Sequence, residues 1–569
     1  MSRNIEKRVY TLNTKAAGFQ LVNSRPKPLQ SGQIGPLFTF TSQLRNTMPA
    51  LEDPATETIA ETHARNSSST ITEPELHNDP INKSKSGKMM SDWVNLSAQL
   101  YLDSIIATKA HTVSSQRCDA CSLATADLTS CCDCSHARVL CAVCLVNTHV
   151  ALPGHRFRQK AGNHLEDVPS WQTGLVLYLG HSGRPCDLGT EQMFTLGDTT
   201  GIHQVKVRFC RHIGHASPAV QLLDARIYPC SETRPSSGFT FGCLRLFHLL
   251  AAEAKLSAEQ FWNVLCYQTS AIAPDLVPDR YREFLRVTRQ WQFLQSVKRA
   301  GKKTVKPDPS GDPDLALRCP ACPIQNVNFL ASSVTKDNCF QLYRKDKAYD
   351  SWDQCLTDGR MYFAQSAQYN EFLSNVNTDG TNATSRHSAC NNHKAADNNW
   401  VKFTGVAETG VGSAICARHS CFLPLATVNF NTPERFYYAD FCFVSAITRS
   451  LSEGVTSVGI HYDILCHYIV KMWERWARMK HPLRSLTPQD FLEFIASVPK
   501  FHLAGHVDIC FVLYCLNHIF GVGRLDAEGG EPCWANLNHA AASTCERGPG
   551  SRVDTLNYVM HQWNWSKTV

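Results

Sequence analysis

Hydrophobic and polar positions change period several times along the chain, and each change marks a boundary. Up to about residue 93 there is no period: Ser, Thr, Asn, Pro and Lys dominate, as in 65–70 and 82–88. Such a segment buries too little apolar area to offset its ordering entropy, so residues 1–93 are predicted to be a disordered tail. A short apolar stretch at 96–106 opens the ordered part. Alternation over 203–209, His-Gln-Val-Lys-Val-Arg-Phe, predicts a strand within a strand-rich region at 171–211. Apolar residues at helical spacing over 244–255 predict a helix, and Ser257 with Gln260 forms a capping box for the next, which carries Phe261, Trp262 and Leu265. Residues 279–298 continue as an amphipathic helix with Tyr281, Phe284, Leu285, Trp291 and Leu294. The stretch 298–314, with Lys302, Lys303, Lys306 and three prolines, reads as a solvated basic linker. Beyond Cys319 the pattern is mixed α/β. Residues 327–344 suggest a strand pair around Asp337, 457–464 a buried strand feeding a helix at 465–480, and Thr487-Pro-Gln-Asp490 the capped start of another helix. No repeat of solenoid length is visible.

At 569 residues the chain has room for three to four domains at about 150 residues each. It carries 25 Cys and 23 His. The first residues contain no apolar run of a signal peptide, and the most apolar long stretch, 503–522, is interrupted by His506, Asp508 and His518, which argues against a membrane span. A reducing compartment is expected, where thiols beside His are more often metal ligands than disulfides. The net charge of +6 excludes a simple polycation, so contact with nucleic acid has to come from local patches.

The densest block holds Cys118-x2-Cys121, Cys131, Cys132 and Cys134, Cys141-x2-Cys144, His149 and His155. Two-residue gaps let both sulfurs of a knuckle reach one tetrahedral ion, and leaving out Cys131 or Cys132 gives eight ligands, enough for two structural Zn²⁺ ions in a B-box or RING-like cross-brace. Which pairs share an ion is not legible. Further on, Cys390-x2-His393 and Cys416-x2-His419 together offer one complete Cys2His2 site, with Cys421 as a substitute ligand. Cys319-Pro-Ala-Cys322 and the set His181, Cys186, Cys210 and His212 are weaker candidates.

Two carboxylates end apolar strands: Asp337 in Val334-Thr-Lys-Asp-Asn-Cys, and Asp463 in Val458-Gly-Ile-His-Tyr-Asp-Ile. A carboxylate there is costly unless paired or bound to a cation, and two such strands side by side would present both acids at one edge, where Mg²⁺ is held. Glu528 and Glu531, three residues apart, are candidates for a third acid.

Together the motifs resemble the Kyakuja-Dileera-Zisupton (KDZ) transposases of fungi, from about Arg117 onward. The Cys118 to His155 block is similar to the cysteine cluster that precedes the transposase core, and further matches are Leu179-Gly-His181 with Cys186, Cys319-Pro-Ala-Cys322, Cys416-Ala-Arg-His419, His461-Tyr-Asp463, Pro499-Lys-Phe-His502 with His506 and Cys510, Gly521 to Glu528, and Gly548-Pro-Gly-Ser-Arg552. The resemblance implies an RNase H-like catalytic core that cuts and joins transposon-end and target DNA with two Mg²⁺ or Mn²⁺ ions, Asp337, Asp463 and Glu528 acting as the acids and Glu531 as the stand-in. It further implies a nuclear protein, homo-oligomeric on DNA and without a membrane association. The expected organisation is a tail at 1–93, a treble zinc module at 94–160, a strand and helical region at 161–297, the linker at 298–316, and the core at 317–569 with a zinc insertion at about 385–425. Departures exist: family members have Asp-Gly-Glu followed by Glu-Arg where this chain has Asp526-Ala-Glu528 and Glu531-Pro-Cys, and they continue with more helices where this chain stops at Val569. The altered motif, like the Asn after the first acid that is shifted by one residue, fits a decayed or domesticated copy, a zinc-containing DNA- or chromatin-binding protein, as the alternative reading. Contact with DNA is expected from 298–306 and from Arg280, Arg282, Arg286 and Arg289.

Overall fold

The computed structural model describes residues 10–15, 18–23, 85–136, 138–162, 164–323, 331–347, 352–378 and 404–568. The chain divides into two units, 1–91 and 92–569. Within the first, Tyr10–Lys15 and Gly18–Asn23 pair as an antiparallel hairpin in a stretch for which the sequence predicts no element.

In the second unit a four-stranded antiparallel sheet comes first. Its strands are β1 (Leu128–Cys131), β2 (Val139–Cys141), β3 (Phe157–Ala161) and β4 (His164–Val168), in the order β2-β1-β3-β4, with helix α1 (Ala142–His149) following β2. Its core is small: Leu128, Val139, Leu140, Leu145 and Phe157. So few apolar side chains leave this module dependent on another crosslink.

Next come β5 (Val176–Tyr178), β6 (Thr190–Asp198), β7 (Gly201–Phe209), α2 (Pro218–Asp224), β8 (Ile227–Pro229) and β9 (Ser237–Thr240), in a sheet ordered β8-β9-β6-β7-β5. Helices α3 (Phe241–Glu253), α4 (Ala258–Thr269) and α5 (Tyr281–Arg299) cover it through Phe239, Phe247, Phe261, Trp262 and Phe284. The capping box of Ser257 and Gln260 is present at α4 as the sequence predicts. Arg289 departs from its expected role as a DNA contact. It sits between Asp353, at 2.5 Å, and Asp554, at 2.7 Å, only 19% exposed, and Arg286 donates to the Cys230 carbonyl. The Arg289 guanidinium is held by the fold; Arg282, Arg286, Lys303 and Lys306 are exposed.

The third sheet uses β10 (Ala331–Cys339), β11 (Gly410–Cys416), β12 (Phe422–Phe430), β13 (Ser457–Tyr462) and β14 (Glu493–Ser497), ordered β12-β11-β10-β13-β14. β10, β11 and β12 are antiparallel neighbours, whereas β13 runs parallel to β10 and β14 parallel to β13. Helices α6 (Ser366–Thr378) and α7 (Phe436–Ser452) pack on one face through Tyr438, Phe441, Phe443 and Ile447. The other face is covered by α9 (Gly530–Asn538) and α10 (Pro549–Thr568), which bring Trp534, Leu537, Leu556 and Met560 onto Val411, Ile415 and Phe422; a short helix, α8 (Asp508–Tyr514), lies beyond β14. The result is three layers, α/β/α.

Three predicted elements differ. Asp337 does not sit in a strand pair: β10 is a single strand, and Arg344–Lys345 pairs with Val406–Glu408 instead. Thr487 and Asp490 do form a capping box, but over one 3-10 turn, because the chain then extends to pair with β13 and sets Phe491 and Phe494 against Trp473. The helix predicted at 465–480 is broken into Leu465–Tyr468, Ile469–Lys471 and Met472–Ala477. No helix among the described residues is long and apolar enough to cross a membrane.

Candidate active site and metal centres

Parallel pairing of β10 with β13 ends at Lys336 opposite Tyr462. Asp337 follows that last pair while still within β10, opposite Ser413 of β11, and Asp463 follows it as the first residue beyond β13, so the two acids come to the same end of the β10–β13 pairing. Both are half-buried. Burial pushes Asp337 up to about 6, and Glu531 adds to the rise against the pull of Asn338, Lys336 and His502. Asp463 is pushed up to about 7, by burial first, then by Glu434 and Asp337, with Lys336 and His502 opposing. Two neighbouring carboxylates thus both resist ionising, burial being the larger cause in each.

The third wall is the start of α9. A Cβ placed on Gly530 would lie 2.5 Å from Asp337 Oδ2, so only glycine lets the helix begin against that carboxylate. Glu531 occupies the first turn of α9, and Pro532 follows there, where its missing N–H costs nothing. Glu528, just before the helix, accepts from the Phe501 N–H at 2.6 Å and stands 3.2 Å from His502 Nδ1. His502 Nε2 is 3.6 Å from Glu531 Oε1, so one imidazole faces both candidate third acids. The Glu528 carboxylate, helped by Asp463 and Asp337 and opposed by burial, lifts His502 to about 9, which makes it a cation at neutral pH. His502 and His506 do not share a helix face as their spacing suggests: Leu503 to Gly505 lie in a 3-10 turn, and the two rings go to different sites.

Sequence reasoning missed Glu434. It precedes α7 and is gripped by Lys336 Nζ at 2.9 Å, by the Tyr462 hydroxyl and by the Asn338 amide. Burial opposes its ionisation, but these partners keep it below the ordinary carboxylate range. Its only sequence signal is a Pro-Glu pair ahead of a helix, which capping explains equally well. Lys336 is fully buried, and its ammonium reaches from the core side of β10 toward the acids.

Four quartets of Cys and His bring their donor atoms within 4.8 Å of one another. In the first module they are Cys118, Cys121, Cys141 and Cys144, and Cys131, Cys134, His149 and His155, the alternating pairing of a cross-brace. Cys132 is left out and lies on the surface. A third quartet joins His181, Cys186, Cys210 and His212 at the edge of the second sheet. The fourth corrects the sequence reading. Cys416 and His419 stand with Cys319 and Cys322, a complete set without the second C-x2-H knuckle, and Cys390 and His393 lie outside the described residues. Cys319-x2-Cys322, a weaker candidate in the sequence, is the partner knuckle, and its distance along the chain, 94 residues from Cys322 to Cys416, hid the partnership.

Tetrahedral zinc sets sulfur and nitrogen donors ~3.6 Å apart and two sulfurs ~3.8 Å apart, from bond lengths of ~2.3 and ~2.05 Å. In the first, second and fourth quartets observed separations lie close to these: Cys131 to His155 3.3 Å, Cys134 to His149 3.3 Å, Cys319 to His419 3.3 Å, and Cys121 to Cys141 3.8 Å; in the third, Cys210 to His181 is 3.3 Å but Cys210 to His212 only 2.5 Å. The clusters have the composition and spacing of structural metal sites, zinc being the ion they suit.

Residues 331–564, the span from β10 to α10, match the family described as Kyakuja-Dileera-Zisupton transposase. The chain carries a KDZ transposase domain. Residues 171–273 match a second model, the CxC2 like cysteine cluster associated with KDZ transposases. That match falls on the His181 quartet and the second sheet, not on the Cys118 to His155 block. Neither the curated proteins nor the solved structures compared with the chain include a match. The KDZ domain contains every carboxylate of the candidate site and His502, and with Cys319 and Cys322 just before it, the fourth quartet.

Proposed function

We propose that the chain is a DDE-type DNA transposase whose KDZ domain is an RNase H-like core performing metal-dependent phosphodiester cleavage and strand transfer at transposon ends. The sheet supports the fold: three antiparallel strands, then two parallel ones beside the first, with the paired acids at the parallel junction. The observation that carries the reading is the convergence of Asp337, Asp463 and the α9 acids on one edge, two of them with raised pKa values.

The donor set fits Mg²⁺ or Mn²⁺. All the donors are hard oxygens, and the Asn338 Oδ1 beside Asp337 is buried with no hydrogen-bond partner. Bound there, the ions would supply Lewis-acid activation of water or a 3′-hydroxyl and stabilise the leaving oxygen. Asp337, Asp463 and Glu531 would hold them. Glu531 is favoured over Glu528 because it is the acid that acts on Asp337, whereas Glu528 is tied to the Phe501 N–H and His502. His502 keeps the two glutamates apart and balances the charge of the metal-free site. Lys336 and Glu434 brace the strand ends behind the acids. The four zinc quartets serve the scaffold. A nuclear location and oligomerisation on DNA follow from this reading.

Cleavage of transposon-end DNA with Mn²⁺ tests it. Wild type should cut, Asp337→Asn and Asp463→Asn should not, and Glu531→Gln should lose more activity than Glu528→Gln. Equal cleavage by wild type and Asp463→Asn would refute the acid assignment. A wild type that binds the DNA with steep salt dependence and never cuts would place it with domesticated, DNA-binding derivatives.

A further inference from the structure

Cys466, His506 and Cys510 lie outside the four quartets, yet their donor atoms also converge within 4.8 Å. They come from separate segments. Cys466 is the second residue of the short helix after Asp463, while His506 lies just before α8 and Cys510 in its first turn. Both thiols are buried, and His506 is half-buried beside Val507 and Tyr514.

The imidazole's orientation separates metal binding from packing. His506 Nε2 lies 2.8 Å from the Asp463 carbonyl, which can only accept, so Nε2 carries the proton. Its Nδ1 therefore presents a lone pair, and that lone pair faces Cys466 Sγ at 3.4 Å, close to the ~3.6 Å of sulfur and nitrogen donors on one tetrahedral ion. A ring whose remote N–H is fixed on a backbone carbonyl while the other nitrogen enters a thiol pair has the arrangement of a histidine ligand.

We propose that Cys466, His506 and Cys510 bind a further Zn²⁺ ion, beside the catalytic edge. The carbonyl that His506 holds belongs to Asp463 itself. The ion thus fixes the backbone at the second acid from the side away from the carboxylate. Two thiolates and an imidazole select zinc over Mg²⁺, so the site is chemically separate from the acids.

Zinc content of the full chain, purified without chelator and measured by plasma mass spectrometry, tests this. With this trio filled, wild type should hold one equivalent more than any variant that lacks the site. Cys466→Ser and Cys510→Ser should each lose one, their double variant no more than one, and His506→Cys should keep the wild-type content. A serine variant with undiminished zinc overturns the proposal. Should the serine variants fail to fold, stepwise chelation of native wild type with alkylation mapping decides the matter. Cys466 and Cys510 should become alkylated together, in the step that releases one zinc; labelling of both with no zinc released overturns the proposal. The readout needs no DNA or catalysis, so it stands or falls apart from the transposase reading.

Discussion

Asp463→Asn puts the acid site to its most direct test, because the structure gives the sign as well as the size of the effect. Asp463 titrates at about 7 in the folded chain, against ~3.9 when unfolded. A raised carboxyl pKa means that the folded chain binds the proton more tightly. Below about pH 4 both states are protonated and the group costs nothing; as pH rises from 4 to 7 the unfolded chain ionises first, and stability is lost. Three pH units at ~1.36 kcal/mol each set a ceiling of about 4 kcal/mol above pH 7. Asn also gives up the attraction of Lys336 and His502, so a gain of about 1–3 kcal/mol at pH 8 is expected.

The assay is the urea midpoint at pH 5 and pH 8, followed by tryptophan fluorescence, since Trp473, Trp476 and Trp534 lie in the cores around the site. Zinc is left in place and other divalent ions are removed. Wild type should be less stable at pH 8 than at pH 5, and Asp463→Asn should flatten that slope. Millimolar Mg²⁺ should restore wild type at pH 8, where the acids are ionised, have little effect at pH 5, and leave the variant unmoved. An Asn variant that is less stable than wild type at pH 8, or that gains as much from Mg²⁺, would refute the assignment of these acids to a cation site.

Other perturbations probe separate parts of the argument. Gly530→Ala drives a methyl group against the Asp337 carboxylate and should cost about 1–3 kcal/mol by overpacking while abolishing Mg²⁺-induced stabilisation, read in the same melts. Cys319→Ser and Cys416→Ser should each remove one zinc equivalent and the double variant no more, because the two thiols share a site; additive loss in elemental analysis would separate them. Arg289→Ala leaves Asp353 and Asp554 without their shared cation and should destabilise by about 3 kcal/mol in urea unfolding, yet leave DNA affinity unchanged at fixed salt, whereas Lys303→Ala should weaken binding without touching stability.

Much of the site was legible because it rests on local patterns. Asp337 and Asp463 each follow a run of strand residues, Asp463 just past the end of β13 and Asp337 still within β10, and both come to one end of the pairing once the strands are adjacent. Two-residue knuckles announce zinc wherever they occur. Partnership between distant knuckles is another matter: Cys319 and His419 meet because β10 and β11 are antiparallel, a fact of topology that no spacing encodes. The same limit hid Glu434, whose importance comes from a lysine 98 positions earlier in the chain. It also reversed the reading of Arg289. A basic stripe on an amphipathic helix looks like a DNA surface until the partners of each guanidinium are known, and two aspartates contributed by other segments turn this one into an internal clamp.

The fourth quartet bears on the candidate acid site through backbone contact rather than through charge. Its Cys416 ends β11, opposite Val334 on the strand that carries Asp337. A Cβ on Gly529 would sit 2.9 Å from the Cys416 carbonyl, and one on Gly530 would meet Asp337, so the start of α9 is seated on the quartet's own loop and on the first acid at once. Cys533 and Trp563 both donate to the Ser420 carbonyl, which pins α9 and α10 to the same loop. Glu528 and Glu531 flank this seat. On the proposed reading of the acids, a zinc ion that stiffens 416–421 would set where the third acid lies relative to the first two, tying the chain's surplus of cysteine to the geometry of its carboxylates.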